Sequence, residues 1–127
     1  MFVIMREKSK NYRDLIVWQK SHSLVLDVYR ITNEFPKEEM FGLTAQLRRA
    51  AVSVPGNIAE GFARKGDKDK LRFYNIAAGS LNEVSYYLLL SNDLGYTNKI
   101  ELSELVDEVG KLLKSYSMKI QSTSTNY

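Results

Sequence analysis

The chain has 127 residues, of which 44% are hydrophobic and 26% charged, which suits one packed domain and excludes a disordered chain. It has no cysteine, which excludes disulfides, cysteine-bound zinc, iron–sulfur clusters and thiol catalysis. A net charge of +3 is a mild bias toward polyanions, and only two prolines and seven glycines favour helix over a turn-rich sandwich. The start, Met1 to Met5, is too short an apolar run for a secretory signal. No window approaches the ~20 apolar residues of a membrane span, so the chain is expected to be cytoplasmic and away from membranes.

Four segments carry helical periodicity. The first runs from about Asp14 to Glu34, with Leu15, Trp18, His22, Val25 and Tyr29 as its apolar row and Phe35–Pro36 as its stop. The second runs from about Glu38 to Lys65, with Leu43, Leu47, Ala50, Val54, Ile58 and Phe62 in phase. Pro55–Gly56 interrupts it, yet the phase continues beyond, so one helix kinked near Pro55 is expected rather than two. The third runs from about Asp67, a candidate N-cap, to Leu94, with Leu71, Tyr74, Ala77, Leu81, Val84, Leu88 and Ser91 along one stripe. Ile76, Tyr87, Leu89 and Leu90 widen its apolar surface beyond that stripe. Gly95 stands where a helix C′ residue should, and Asn98 with Glu101 has the spacing of a capping box for the fourth helix. That helix carries Leu102, Leu105, Val109, Leu112 and Tyr116, and is expected to fray from Ser117 onward. Short connections make neighbours antiparallel, which predicts an all-α, up-down-up-down four-helix bundle. The whole chain, 1–127, is then one domain, with 1–12 as an N-terminal arm and 118–127 as a polar tail.

Beside the apolar face of the second helix, Gln46, Arg49, Ser53, Asn57, Glu60 and Arg64 recur at steps of three and four, within an arc of roughly 80°. The stripe contains no lysine, the usual surface filler, and its amides and arginines suit directional hydrogen bonds at an interface, an anion or a buried network. The stretch QLRRAAVSVPGNIAEGFAR (Gln46 to Arg64) resembles the signature of the 23S rRNA-intervening sequence protein family, four-helix-bundle proteins encoded within bacterial 23S rRNA genes. Phe35 to Leu43, Trp18 and the IAAGSLNE segment (Ile76 to Glu83) match the same pattern, over about Tyr12 to Ile120. Gly56 departs from it, since alanine is usual after the proline. The chain is also similar to the accessory protein of diversity-generating retroelements, a basic pentameric bundle that engages reverse transcriptase and nucleic acid. The resemblance implies a four-helix bundle assembled as a ring-like homopentamer, and implies no reaction.

Glu83 is flanked by Ile76, Leu90 and Leu94, and is expected to be a buried carboxylate paired with Arg49 or Arg64 from the neighbouring helix or from another subunit; Arg49 could equally pair with Glu60. His22, the single histidine, is expected to be a packed core or interface residue, because one histidine cannot build a His-x₃-His metal site. The common phosphate-binding glycine loops are absent. Residues 46 to 72 hold seven basic residues against three acids, and the N-terminal arm adds Arg6, Lys8, Lys10 and Arg13 against Glu7. Arg64, Lys65, Lys68, Lys70 and Arg72, at the turn between helices two and three, are the candidate nucleic-acid contacts. Phe73 and Tyr74 nearby could stack on bases or pack in the core. An enzyme would need an activated nucleophile, a metal or a cofactor loop, none of which the sequence offers. The expected function is therefore a non-enzymatic oligomeric binding module without metal or cofactor, holding RNA or DNA through repeated basic patches. A protein-binding scaffold without nucleic acid is the alternative.

Overall fold

A computed structural model describes residues 9–124, with no side-chain description of 123 and 124. Four helices account for most of them: α1 (Ile16–Thr32), α2 (Leu43–Ala63), α3 (Asp67–Asp93) and α4 (Ile100–Ser124). Short 3₁₀ turns precede α1 (Tyr12–Asp14) and α2 (Lys37–Glu39), and there is no strand among the described residues. Contacts join α1 to α2, α2 to α3, α3 to α4 and α4 back to α1, which is the square of a four-helix bundle. Cross-helix partners rise in number on one helix as they fall on the next: Ser53 meets Ser80, Gln46 meets Tyr87. Neighbours are therefore antiparallel, as the short connections predict.

The rows on α2 and α3 face inward as expected. Leu47, Val54 and Ile58 pack with Tyr74, Ala77 and Val84, all fully buried. Pro55 lies inside an unbroken α2 and is itself buried. The row on α1 differs from the sequence expectation. Val17, Ser21, Leu24, Val28 and Thr32 face the core, whereas Trp18 and Val25 are half-buried and Tyr29 and His22 are exposed. Ser21 and Thr32 can sit there because their hydroxyls donate to the helix's own carbonyls, Trp18 O at 2.9 Å and Val28 O at 2.7 Å. On α4 the buried row is Leu102, Val106, Val109 and Leu113, with Leu105, Leu112 and Tyr116 half-buried beside it. The last helix runs on through Ser124 instead of fraying at Ser117.

Each end of the bundle is locked by a different device. At one end the Glu39 carboxylate accepts the first backbone N–H of α2, Leu43 N, at 3.2 Å and the Tyr96 hydroxyl at 2.9 Å. That joins the start of α2 to the α3–α4 connection and places a carboxylate at a helix N-terminus, where the dipole favours it. Gly95 adopts φ +80°, a conformation glycine reaches without strain. The Tyr96 N–H then reaches Ser91 O and the Gly95 N–H reaches Asn92 O, the paired bonds of a Schellman stop. At the other end α2 stops where Arg64 turns extended, and Gly66 rather than Asp67 is the N-cap of α3. At the start of the chain Asn11 and Asp14 form a capping box that holds the Tyr12–Asp14 turn.

Candidate nucleic-acid interface

The polar stripe of α2 faces α3 across a groove. Tyr87 donates its hydroxyl to Gln46 Oε1 at 2.8 Å, and the Ser53 and Ser80 hydroxyls meet at 2.7 Å. Asn57 Nδ2 donates back to Ser53 O at 2.8 Å and to Ser53 Oγ at 2.9 Å. Gln46 and Ser53 of the stripe thus bond across to the neighbouring helix, and Asn57 braces Ser53 from within α2. Arg49 and Glu83 line the same shallow hollow of about 340 Å³ as Gln46, Ser53, Ser80 and Tyr87. Glu83 is exposed, not buried, and no ion pair among the described residues joins it to Arg49 or Arg64. Its apolar neighbours Ile76 and Leu94 are themselves exposed in the single chain. Glu60 pairs with Arg64 one turn along α2, at 2.5 Å, and not with Arg49. At Gly56 an added Cβ would meet nothing within 4 Å, so space gives no reason for glycine there.

The turn between α2 and α3 sorts its five cations into three kinds. Lys65 and Lys68 are exposed and make no ion pair among the described residues. Arg64 and Arg72 are partly engaged, the first by Glu60 and the second by Asp69 at 3.3 Å. Both guanidinium groups lie over the ring of Phe73, at 5.4 and 4.4 Å from its centre. Lys70 has a structural task that the sequence did not reveal. Its ammonium donates to Phe62 O at 2.9 Å and Gly61 O at 3.3 Å, covering the carbonyls that α2 leaves open at its C-terminus. Burial lowers the Lys70 pKa from its ordinary value, partly offset by the Asp67 charge.

The fold gathers basic residues that lie far apart in the chain. Because neighbours are antiparallel, the start of α1, the end of α2, the start of α3 and the end of α4 share one end of the bundle. Dividing each helix at its middle gives that half ten cations against four carboxylates among residues 9–124, a net +6. The opposite half has six cations against ten carboxylates, a net −4. Lys10, Arg13, Lys114 and Lys119 thereby join Arg64, Lys65, Lys68 and Arg72 at one end. The expected contribution of Arg6 and Lys8 lies outside the described residues.

A second feature of this end departs from the core placement expected of Trp18 and His22. The indole of Trp18 is stacked with the imidazole of His22, ring centres 5.0 Å apart and planes within 8°. Tyr12 meets Trp18 edge-on at 5.1 Å. Of its two expected places, core or interface, His22 is thus excluded from the core and belongs to a surface aromatic row.

No helix among the described residues is long and apolar enough to cross a membrane. The family model for 23S rRNA-intervening sequence protein matches residues 13–117. Comparison with curated proteins finds no match. Among solved structures, a protein with unknown function from the S23 ribosomal protein family of Bacteroides thetaiotaomicron VPI-5482 superposes with a TM-score of 0.72. It is 24% identical over 81% of this chain and 96% of its own, a likeness of fold.

Proposed function

We propose that this chain, which belongs to the 23S rRNA-intervening sequence protein family, is a non-enzymatic cytoplasmic binding module that holds RNA or DNA by phosphate contacts at the basic end of its bundle. The observation that carries this reading is the division of charge along the bundle axis, +6 at one end and −4 at the other. A chain of modest net charge presents a strongly basic surface only where its cations are gathered, and here the topology gathers them. Assembly as a homo-oligomer, a pentamer by the resemblance, would repeat that surface and add avidity. Exposed Ile76, Tyr86 and Leu89 on α3 supply the apolar area for such assembly. A scaffold that binds only protein is favoured by one separate observation, the 91% exposure of Phe41 at the acidic end.

Retention of labelled RNA and DNA on filters, measured against salt, tests the reading. Phosphate contacts release counterions, so affinity should fall steeply as salt rises. The double variant Lys65→Glu/Lys68→Glu should weaken retention and flatten the salt dependence by about one unit of slope for each phosphate-binding lysine removed. Its thermal melt should match the parent, because both side chains are exposed. Lys70 is left intact in this variant because it holds the end of α2. Absence of retention at low salt would return the function to the scaffold reading, and a monomer mass in sedimentation equilibrium would remove the assembly.

A further inference from the structure

From the Tyr12–Trp18–His22 row we infer that the basic end takes single-stranded nucleic acid, with an unpaired base stacked on the exposed imidazole of His22. The inference rests on the phosphate-binding reading above and adds what is bound beside the phosphates. Of the row only Trp18 packs against the core, which α1 builds chiefly with Val17, Ser21, Leu24, Val28 and Thr32. It leaves one ring open, since His22 is exposed while the half-buried indole supports its other side.

The platform is held in place before any ligand arrives. The Asn11–Asp14 capping box fixes the turn that carries Tyr12. Gln19 Nε2 donates to Arg13 O at 2.8 Å, tying that turn to the first turn of α1. The turn also packs against α2, so it is anchored on two helices. Little ordering is then left for the moment of binding. Charge around the row has the matching sign. Lys10 and Arg13 flank it, Arg13 lying 5.8 Å from the centre of the Tyr12 ring. The nearby Asp14 carboxylate is occupied by the backbone N–H groups of Lys10 and Asn11. Stacked aromatic rings beside cations are what binds unpaired bases without regard to sequence, because every base has a π-face. A duplex keeps its bases stacked inside and offers this row only phosphate.

Trp18 is the only tryptophan, so its emission reports on the row directly. The probes are oligo(dT), oligo(rU), a mixed-sequence duplex and inorganic polyphosphate, at equal phosphate concentration and low salt. Both single strands should quench Trp18, whereas polyphosphate should bind without quenching. The duplex should bind more weakly than either strand. His22→Ala, at an exposed position, should lower single-strand affinity about tenfold and leave polyphosphate affinity unchanged, and His22→Phe should restore it. Equal affinity of His22→Ala and parent for oligo(dT) and oligo(rU) would overturn the stacking inference while polyphosphate binding kept the basic-end reading alive. Failure of all four probes to bind would overturn both. A preference between oligo(dT) and oligo(rU) would assign the ligand to DNA or to RNA.

Discussion

Among the described glycines, Gly61 is the one where an added methyl finds the least room. A Cβ there would lie 2.6 Å from Cε1 and 3.1 Å from Cζ of Tyr74, a ring carbon clash that no rotamer tip can relieve. Tyr74 has no exposed surface and cannot swing outward. Overpacking costs about 1–3 kcal/mol, and a 2.6 Å approach to a fixed, buried ring belongs in the upper part of that range, about 2–3 kcal/mol; the better helix propensity of alanine returns about 1 kcal/mol. Gly61→Ala should therefore destabilise by about 1–2 kcal/mol, lowering the melting temperature by about 5 °C. Circular dichroism melts and urea titrations at fixed protein concentration would measure it. The Tyr74→Leu background gives the mechanism its own check, because removing the ring should erase the penalty and leave only the propensity gain. A Gly61→Ala protein as stable as the parent, or a penalty unchanged in the Tyr74→Leu background, would refute the reasoning.

Lys70→Met keeps a chain of similar length but removes the ammonium that donates to Gly61 O and Phe62 O, and should cost about 1 kcal/mol by thermal melt. Stability should also fall at alkaline pH. Tyr96 is raised by its hydrogen bond to Glu39, Tyr74 by burial and then by Tyr116, and Tyr116 by burial. A raised folded-state pKa gives stability that is complete below the ordinary tyrosine value of about 10 and lost as pH climbs through the folded value. Urea midpoints should hold up to about pH 10 and then decline. Tyr96→Phe should make that decline shallower, with tyrosinate absorbance following the release of the remaining protons.

Periodicity made α2 and α3 legible because their core rows are made of large apolar side chains in unbroken phase. It failed on α1 for a physical reason. Ser21 and Thr32 occupy core positions with their hydroxyls satisfied by the backbone one turn earlier, so polarity masked their burial. The large rings of Trp18 and Tyr29 then drew the apparent row one face away. Lys70 and Glu39 were illegible for another reason. Each acts on a helix end that only the folded connection brings near, and a charged residue beside a turn carries no local mark of that use. The candidate cations of the α2–α3 turn were visible as a run, but their division into free, ring-bound and backbone-bound emerges only in the fold. The row at Tyr12, Trp18 and His22 had a signal, an aromatic pair spaced i, i+4, which fits a surface stack as well as a core seam.

The separation of charge along the bundle alters what a distant polyanion encounters. The longest helix, α3, has 27 residues and spans about 40 Å, against a screening length of about 8 Å at physiological salt. A phosphate strand approaching one end is blind to the other, so the protein meets it as a +6 body and not as the +3 of its full chain. The far end, at −4, repels such a strand once it comes within that distance. Encounters from the wrong side are discouraged before contact, and the molecule is turned into register by its own field. Its isoelectric point, an average over both ends, conceals a directional instrument.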